Sequence, residues 1–153
     1  MRRMLFDEAY RRFWMDLGES RTRALSTSLH DLVTSRMMSI VVLEGRLFFQ
    51  TDRTFRKYEQ IKGNAHVALC ADNFQIEGEC KEVGRPVENP DFCRAYEKYF
   101  HSSFQRYSGL ENERLFAVTP TFIERWRYVD GIPYMEMFEV EKRNYIWKKY
   151  NGE

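Results

Sequence analysis

Two β-type runs, Ser35 to Leu43 and Arg46 to Thr51, are separated by Glu44-Gly45 alone, and no other feature of the chain restricts its fold as much. A two-residue connection ending in glycine suits a tight antiparallel hairpin, whose central residues take positive φ. Further strand-like runs are His66 to Ala71 and Phe74 to Val83, split by Asp72-Asn73. Leu115 to Val118 and Thr121 to Val129 follow around Pro120, and Asp130-Gly131 turns the chain toward Tyr134 to Val140. A weaker run covers Arg23 to His30. Six or seven strands joined by hairpins predict an antiparallel barrel rather than βαβ repeats. Gly78, inside the run Phe74 to Val83, marks a place where the backbone bends or comes close to another group.

Helices are expected around that sheet. Leu5, Phe6, Ala9, Phe13, Trp14 and Leu17 recur near helical spacing before Gly18, so residues 5–17 read as an amphipathic N-terminal helix. Thr54 to Lys62 lacks Gly and Pro and sets Phe55, Tyr58 and Ile61 on one face of a short helix. Asn89-Pro90 places an N-cap before a first-turn proline, and Phe92, Tyr96, Tyr99, Phe100 and Phe104 then predict the longest helix. Residues 141–153 are charged yet hold Tyr145, Ile146, Trp147 and Tyr150, which reads as a docked tail. The expected fold class is mainly β with peripheral helices (α+β), and 153 residues suit one domain over the whole chain.

Charge and cysteine usage narrow the partners. Lys plus Arg number 24 against 23 Asp plus Glu, a net charge of +1, which argues against duplex DNA or an anionic membrane as a bulk electrostatic partner. No apolar run suits a signal peptide or a membrane anchor. Cys70, Cys80 and Cys93 form no C-x-x-C pair, so a reducing, cytoplasmic setting is expected, with Cys70 and Cys80 as small buried hydrophobes. His30, His66 and His101 lack metal-ligand spacing, and no metal is assigned. Aromatic residues at 16% suit a β-rich core or a stacking pocket; Trp126, between Arg125 and Arg127, suits ring stacking or cross-strand packing.

One constellation carries chemistry. Ser35-Arg36-Met37-Met38-Ser39 lies on one strand, and Thr51-Asp52-Arg53-Thr54-Phe55-Arg56-Lys57 runs from the next strand into a helix. The hairpin brings Arg36 and Thr51 toward one end. A hydroxyl, adjacent cations and the free N–H groups of a helix start can bind phosphate through hydrogen bonds and the helix dipole. The same residues also suit a solvated helix face.

Their order favours the phosphate reading. Arg36-Met37-Met38, Phe49-Gln50-Thr51-Asp52, Arg56-Lys57, Gln60-Ile61, Asn64-Ala65 and a strand reaching Gly78 resemble the pyridoxamine 5'-phosphate oxidase-like family over residues 23–129. The resemblance implies an antiparallel split β-barrel of the FMN-binding type and a homodimer with FMN at its interface. It implies that Arg36, Met37, Met38 and Ser39 line the isoalloxazine ring, that Thr51, Arg56 and Lys57 hold the phosphate, and that Gln50 lies against the ribityl chain. Two positions depart from the pattern. Phe55 stands where a small hydroxyl residue often precedes the Arg-Lys pair. Val41, five positions after Arg36, replaces a Lys that helps hold substrate phosphate in the oxidase proper.

The expected function is therefore that of an FMN-dependent oxidoreductase. Its small-molecule substrate or electron donor is not pyridoxamine 5'-phosphate, and no catalytic residue is assigned. The alternatives are a noncatalytic flavin- or haem-binding protein on the same barrel, a deazaflavin cofactor, and a nucleic-acid-binding barrel, which the near-zero net charge disfavours.

Overall fold

The computed structural model describes residues 2–152, with side chains from residue 5 onward; residues 1 and 153 of the expected domain lie outside it. Among the described residues, eight strands form one antiparallel sheet: β1 (Arg21–Leu29), β2 (Leu32–Leu43), β3 (Arg46–Asp52), β4 (His66–Ala71), β5 (Phe74–Glu82), β6 (Glu113–Val129), β7 (Ile132–Glu139) and β8 (Asn144–Lys149). Their order is β3-β2-β1-β4-β5-β6-β7-β8, and a further pairing of β3 with β6 closes the first six into a barrel. β7 and β8 extend β6 beyond it.

The turns follow local chemistry. Glu44 and Gly45 take φ of 48° and 73°, and Asp130 and Gly131 take 52° and 78°, as the tight hairpins require. A third such turn, His30 and Asp31 at φ 52° and 65°, joins β1 to β2. His and Asp are among the few non-glycine residues that tolerate this region. β2 therefore starts at Leu32, three residues before the expected Ser35.

The two runs expected around Pro120 are one strand of 17 residues. The ladder with β5 slips between Glu77 and Gly78, so that Glu77 faces Phe122 while Gly78 faces Pro120. A proline lacks the N–H a regular ladder needs, and the bulge removes that demand. Gly78 is required at the same place. A Cβ there would lie 2.7 Å from Val118 Cγ1 and 2.8 Å from the Thr119 carbonyl oxygen.

Helix α1 (Arg2–Leu17) is longer than α2 (Arg56–Gly63) and α3 (Pro90–Tyr99), so the longest helix is not the one expected after Asn89. The Asn89 side chain does cap α3, accepting from the Phe92 N–H at 3.0 Å. However, Phe100, at φ −137° and ψ 54°, breaks the helix before one further turn, α4 (His101–Ser103), and a π-helical turn at Phe104–Ser108. The break keeps Phe100 and Phe104 against the cluster of Val41, Phe48, Phe92, Tyr96 and Leu115 on the outer face of the barrel.

Inside the barrel, Leu25, Ile40, Leu47, Phe49, Ile76, Phe116 and Ile123 are fully buried. α1 covers one end, with Phe13 5.2 Å from the Phe74 ring and 5.7 Å from Phe138. α2 covers the other, burying Ile61 and Gln60. The C-terminal stretch supplies β8, which pairs with β7 from Glu139↔Asn144 to Tyr134↔Lys149. Trp126 packs edge-on against Tyr150, just past the end of β8, at 5.2 Å. Cys80 is buried and its thiol is pushed up to about 12 by that burial. Cys70, by contrast, is exposed, because Val67, Leu69 and Ala71 occupy the inward positions of β4. No described helix is long and apolar enough to cross a membrane.

Candidate functional site

The β2–β3 hairpin is paired only from Val41↔Phe48 to Leu43↔Arg46. Beyond that, β2 continues along β1 while β3 turns to pair with β6, from Leu47↔Val118 to Asp52↔Glu113. The strands thus diverge, and α2 sits over the end of the barrel where they part. Arg36 and Thr51 lie at that end on separate strands, with α2 between them.

Arg36 is tied into the opening. Its Nη1 donates to the Leu25 carbonyl at 3.1 Å and to Thr27 Oγ1 at 2.9 Å, and its Nη2 donates to Thr34 Oγ1 and to Gln60 Oε1 at 3.4 Å. Gln60 Oε1 also accepts from Thr27 at 2.7 Å and from Thr34 at 2.9 Å, which locks α2 to β1 and β2. From the first turn of α2, Lys57 Nζ donates to Thr51 Oγ1 at 3.2 Å and lies 4.8 Å from the centre of the Phe55 ring. Arg56 is exposed beside them.

These cations repel one another. Burial lowers the Arg36 pKa, and Arg56 lowers it further. Burial likewise lowers that of Lys57, with Arg36 as the next contributor. Among the described residues, Arg36, Arg56 and Lys57 enter no ion pair. The N-terminus of α2 has Phe55 at its cap position with no side-chain cap. Thr54 does not fill that role, since its N–H and hydroxyl both donate to Asp52 Oδ1, at 2.8 and 2.6 Å. An anion bound here would offset the repulsion and accept from the helix N–H groups, so the residues present fit a phosphate ester.

The other expected residues are more dispersed. Met37 projects outward and is 62% exposed, whereas Met38 packs on the barrel core. Ser39 is half-buried beside Tyr96 of α3. The Gln50 side chain lies on the opposite face of β3 from Thr51 and accepts from Ser108 Oγ at 2.6 Å. Val41 is fully buried beneath α3. Arg125 and Arg127 of β6 supply no cation in its place, because both bind Glu136, and Arg125 also binds Asp16 of α1.

Glu113 escapes a reading by motif. It is 6% exposed at the start of β6, two residues before the expected start of that strand, and is the cross-strand partner of Asp52. Burial and the neighbouring Asp52 carboxylate raise its pKa to about 7, against the opposing pull of Lys57 and a hydrogen bond from Gln50. No motif marks Glu111-Asn112-Glu113-Arg114, and only the β3–β6 pairing shows that one of its carboxyls is inside.

Neither a protein-family model nor a curated protein matches the chain by sequence. Solved structures do match. PhzG from Burkholderia lata, in complex with tetrahydrophenazine-1-carboxylic acid, superposes with a TM-score of 0.65 at 13% identity, covering 95% of this chain and 92% of PhzG. A pyridoxamine 5'-phosphate oxidase-related, FMN binding protein from Nostoc punctiforme gives 0.59 at 12% identity, with 94% of each chain covered. The fold is the split barrel of the pyridoxamine 5'-phosphate oxidase-like proteins. HutZ, the heme storage protein from Vibrio cholerae, matches at 0.56 and 16% identity over 78% of this chain and 91% of that one, so the split barrel serves more than one cofactor. In the present split barrel, Arg36, Thr51, Arg56 and Lys57 gather at the end capped by α2.

Proposed function

We propose that the protein binds FMN and acts as an FMN-dependent oxidoreductase on a small-molecule substrate or electron donor. The observation that carries this reading is the set of Arg36, Arg56 and Lys57 around Thr51 at an uncapped helix start, with Arg36 repelled by both of the other cations and, among the described residues, none of the three in an ion pair. Arg36, Thr51, Arg56 and Lys57 would hold the phosphate. The strand carrying Arg36, Met37, Met38 and Ser39 would flank the ring, and Gln50 the ribityl side. Bound FMN would supply the hydride chemistry, while the chain supplies orientation and charge balance. Structural likeness to the FMN binding protein of Nostoc supports the cofactor assignment.

Val41 bears on the substrate. With an apolar, fully buried side chain at this position, and Arg125 and Arg127 committed elsewhere, a second phosphate beside the flavin meets no cation from these residues. Losing one charge-assisted contact costs about 1.5–3 kcal/mol. Purified protein loaded with FMN and mixed anaerobically with NADH, NADPH or pyridoxamine 5'-phosphate is expected to bleach with a reduced nicotinamide or another small reductant, and not efficiently with the B6 vitamer. Rapid bleaching by pyridoxamine 5'-phosphate alone would overturn the substrate reading. A haem spectrum in the purified protein, with no flavin taken up, would overturn the cofactor.

We further propose a homodimer with FMN at its interface. Val33 and Met37 on the open face of β2, 70% and 62% exposed, offer apolar surface to a second copy. Light scattering is expected to give twice the 18.5 kDa of one chain, and a monomer mass at micromolar concentration would refute the dimer.

A further inference from the structure

We propose that Glu113 is a positioning residue of the phosphate site, which takes up a proton from solvent as the phosphate binds and so releases Lys57 to the ligand. The proposal rests on the FMN reading above. Its basis is the setting of one buried carboxyl. Glu113 is 6% exposed and lies directly across the β3–β6 ladder from Asp52, on the face that also carries Gln50, which Ser108 of the π-helical turn holds; Lys57 of α2 attracts its charge, and its charge in turn raises the pKa of Tyr96 of α3. Arg114, next in its own strand, turns to the other face, where it lies 4.0 Å from Glu82.

Two carboxyls paired directly across antiparallel strands repel, and here they differ in what relieves them. Asp52 is half-buried and receives both the N–H and the hydroxyl of Thr54, which hold its carboxyl below the usual range. Glu113 is enclosed and has only the Gln50 amide and the field of Lys57 to support a negative charge. A phosphate dianion arriving at Lys57 and Thr51 competes for that cation and adds negative charge to the cluster. The carboxylate with the weaker support is the one that yields, so Glu113 changes from carboxylate to carboxylic acid while Asp52 stays ionised. Lys57 then meets the phosphate without the competing attraction of Glu113.

The sign follows. If the bound state holds one more proton than the free state, FMN affinity falls as pH rises through and above neutrality. The phosphate itself has its second ionisation near about 6, so it is already dianionic in that range and contributes little slope.

Calorimetric titration of FMN into the protein at pH 7.5, in two buffers of different ionisation enthalpy, counts the protons taken up. The expected result is uptake of about half a proton or more per FMN for the wild type and close to none for Glu113→Gln, with Glu113→Asp retaining uptake. Between pH 7 and 8.5 the wild-type affinity is expected to fall roughly three- to tenfold, and that of Glu113→Gln to stay nearly level. Equal proton uptake and equal pH slopes in wild type and Glu113→Gln would overturn the proposal, as would zero uptake by the wild type, which needs no variant to measure. Absence of FMN binding by the wild type at every pH would instead overturn the FMN reading, and this inference with it.

Discussion

Replacing Arg56 and Lys57 together by alanine is expected to weaken FMN binding by two or more orders of magnitude while leaving the fold intact. Each cation contributes a charge-assisted contact to the phosphate worth about 1.5–3 kcal/mol, so the pair accounts for about 3–6 kcal/mol. Folding should not suffer comparably. Arg56 is exposed, and the one side-chain hydrogen bond of Lys57 goes to Thr51. Removing both charges also relieves Arg36, whose pKa Arg56 helps to lower. Riboflavin, which has the same ring and no phosphate, provides the control. Fluorescence titrations should show a large loss of FMN affinity in the double variant and little change for riboflavin. An unchanged FMN affinity would remove Arg56 and Lys57 from the site.

That Arg36, Thr51, Arg56 and Lys57 would gather at one end of the barrel was legible in the sequence because each is placed by a local device. A tight hairpin at Glu44-Gly45 sets the distance from Arg36 to Thr51 along the chain, and a glycine-free run after Thr54 starts a helix. Residues whose role depends on long-range pairing were not legible in this way. Nothing near Glu113 in sequence indicates that β6 begins there or that β3 crosses to pair with it. Pro120 shows the same limit in reverse. Taken locally it ends a strand, and only Gly78 on β5, forty-two positions earlier in the chain, provides the bulge that lets the strand continue. Cys70 illustrates a smaller failure of the same kind. Composition makes a cysteine a buried residue, but the phase of β4 turns this one outward. Gly78 itself was readable as a place of close approach, since a glycine inside an apolar alternating run has few other uses.

Replacing Glu136 by leucine is expected to destabilise the protein by about 3–5 kcal/mol, the cost of leaving a buried cation without its partner. Glu136 is 3% exposed and accepts from three side chains: Arg125 Nε, Arg127 Nη1 at 3.3 Å and Tyr145 Oη at 2.6 Å. Arg125, 6% exposed, would keep one carboxylate, Asp16 at 2.9 Å, and that one belongs to α1. In a chain of this size about 1 kcal/mol corresponds to roughly 2–4 °C in Tm, so thermal unfolding should move down by roughly 6–20 °C. Replacing Arg125 by methionine in the same protein should restore much of the loss, because an apolar pair in place of a buried ion pair is often neutral, whereas half a pair is not. The cluster lies under α1, at the opposite end of the barrel from α2. FMN affinity measured well below the unfolding temperature should therefore change little in either variant. A Glu136→Leu protein of wild-type stability would show that the network is not what holds β6, β7 and β8 to α1. A stable variant that had lost FMN would show that the two ends of the barrel are coupled.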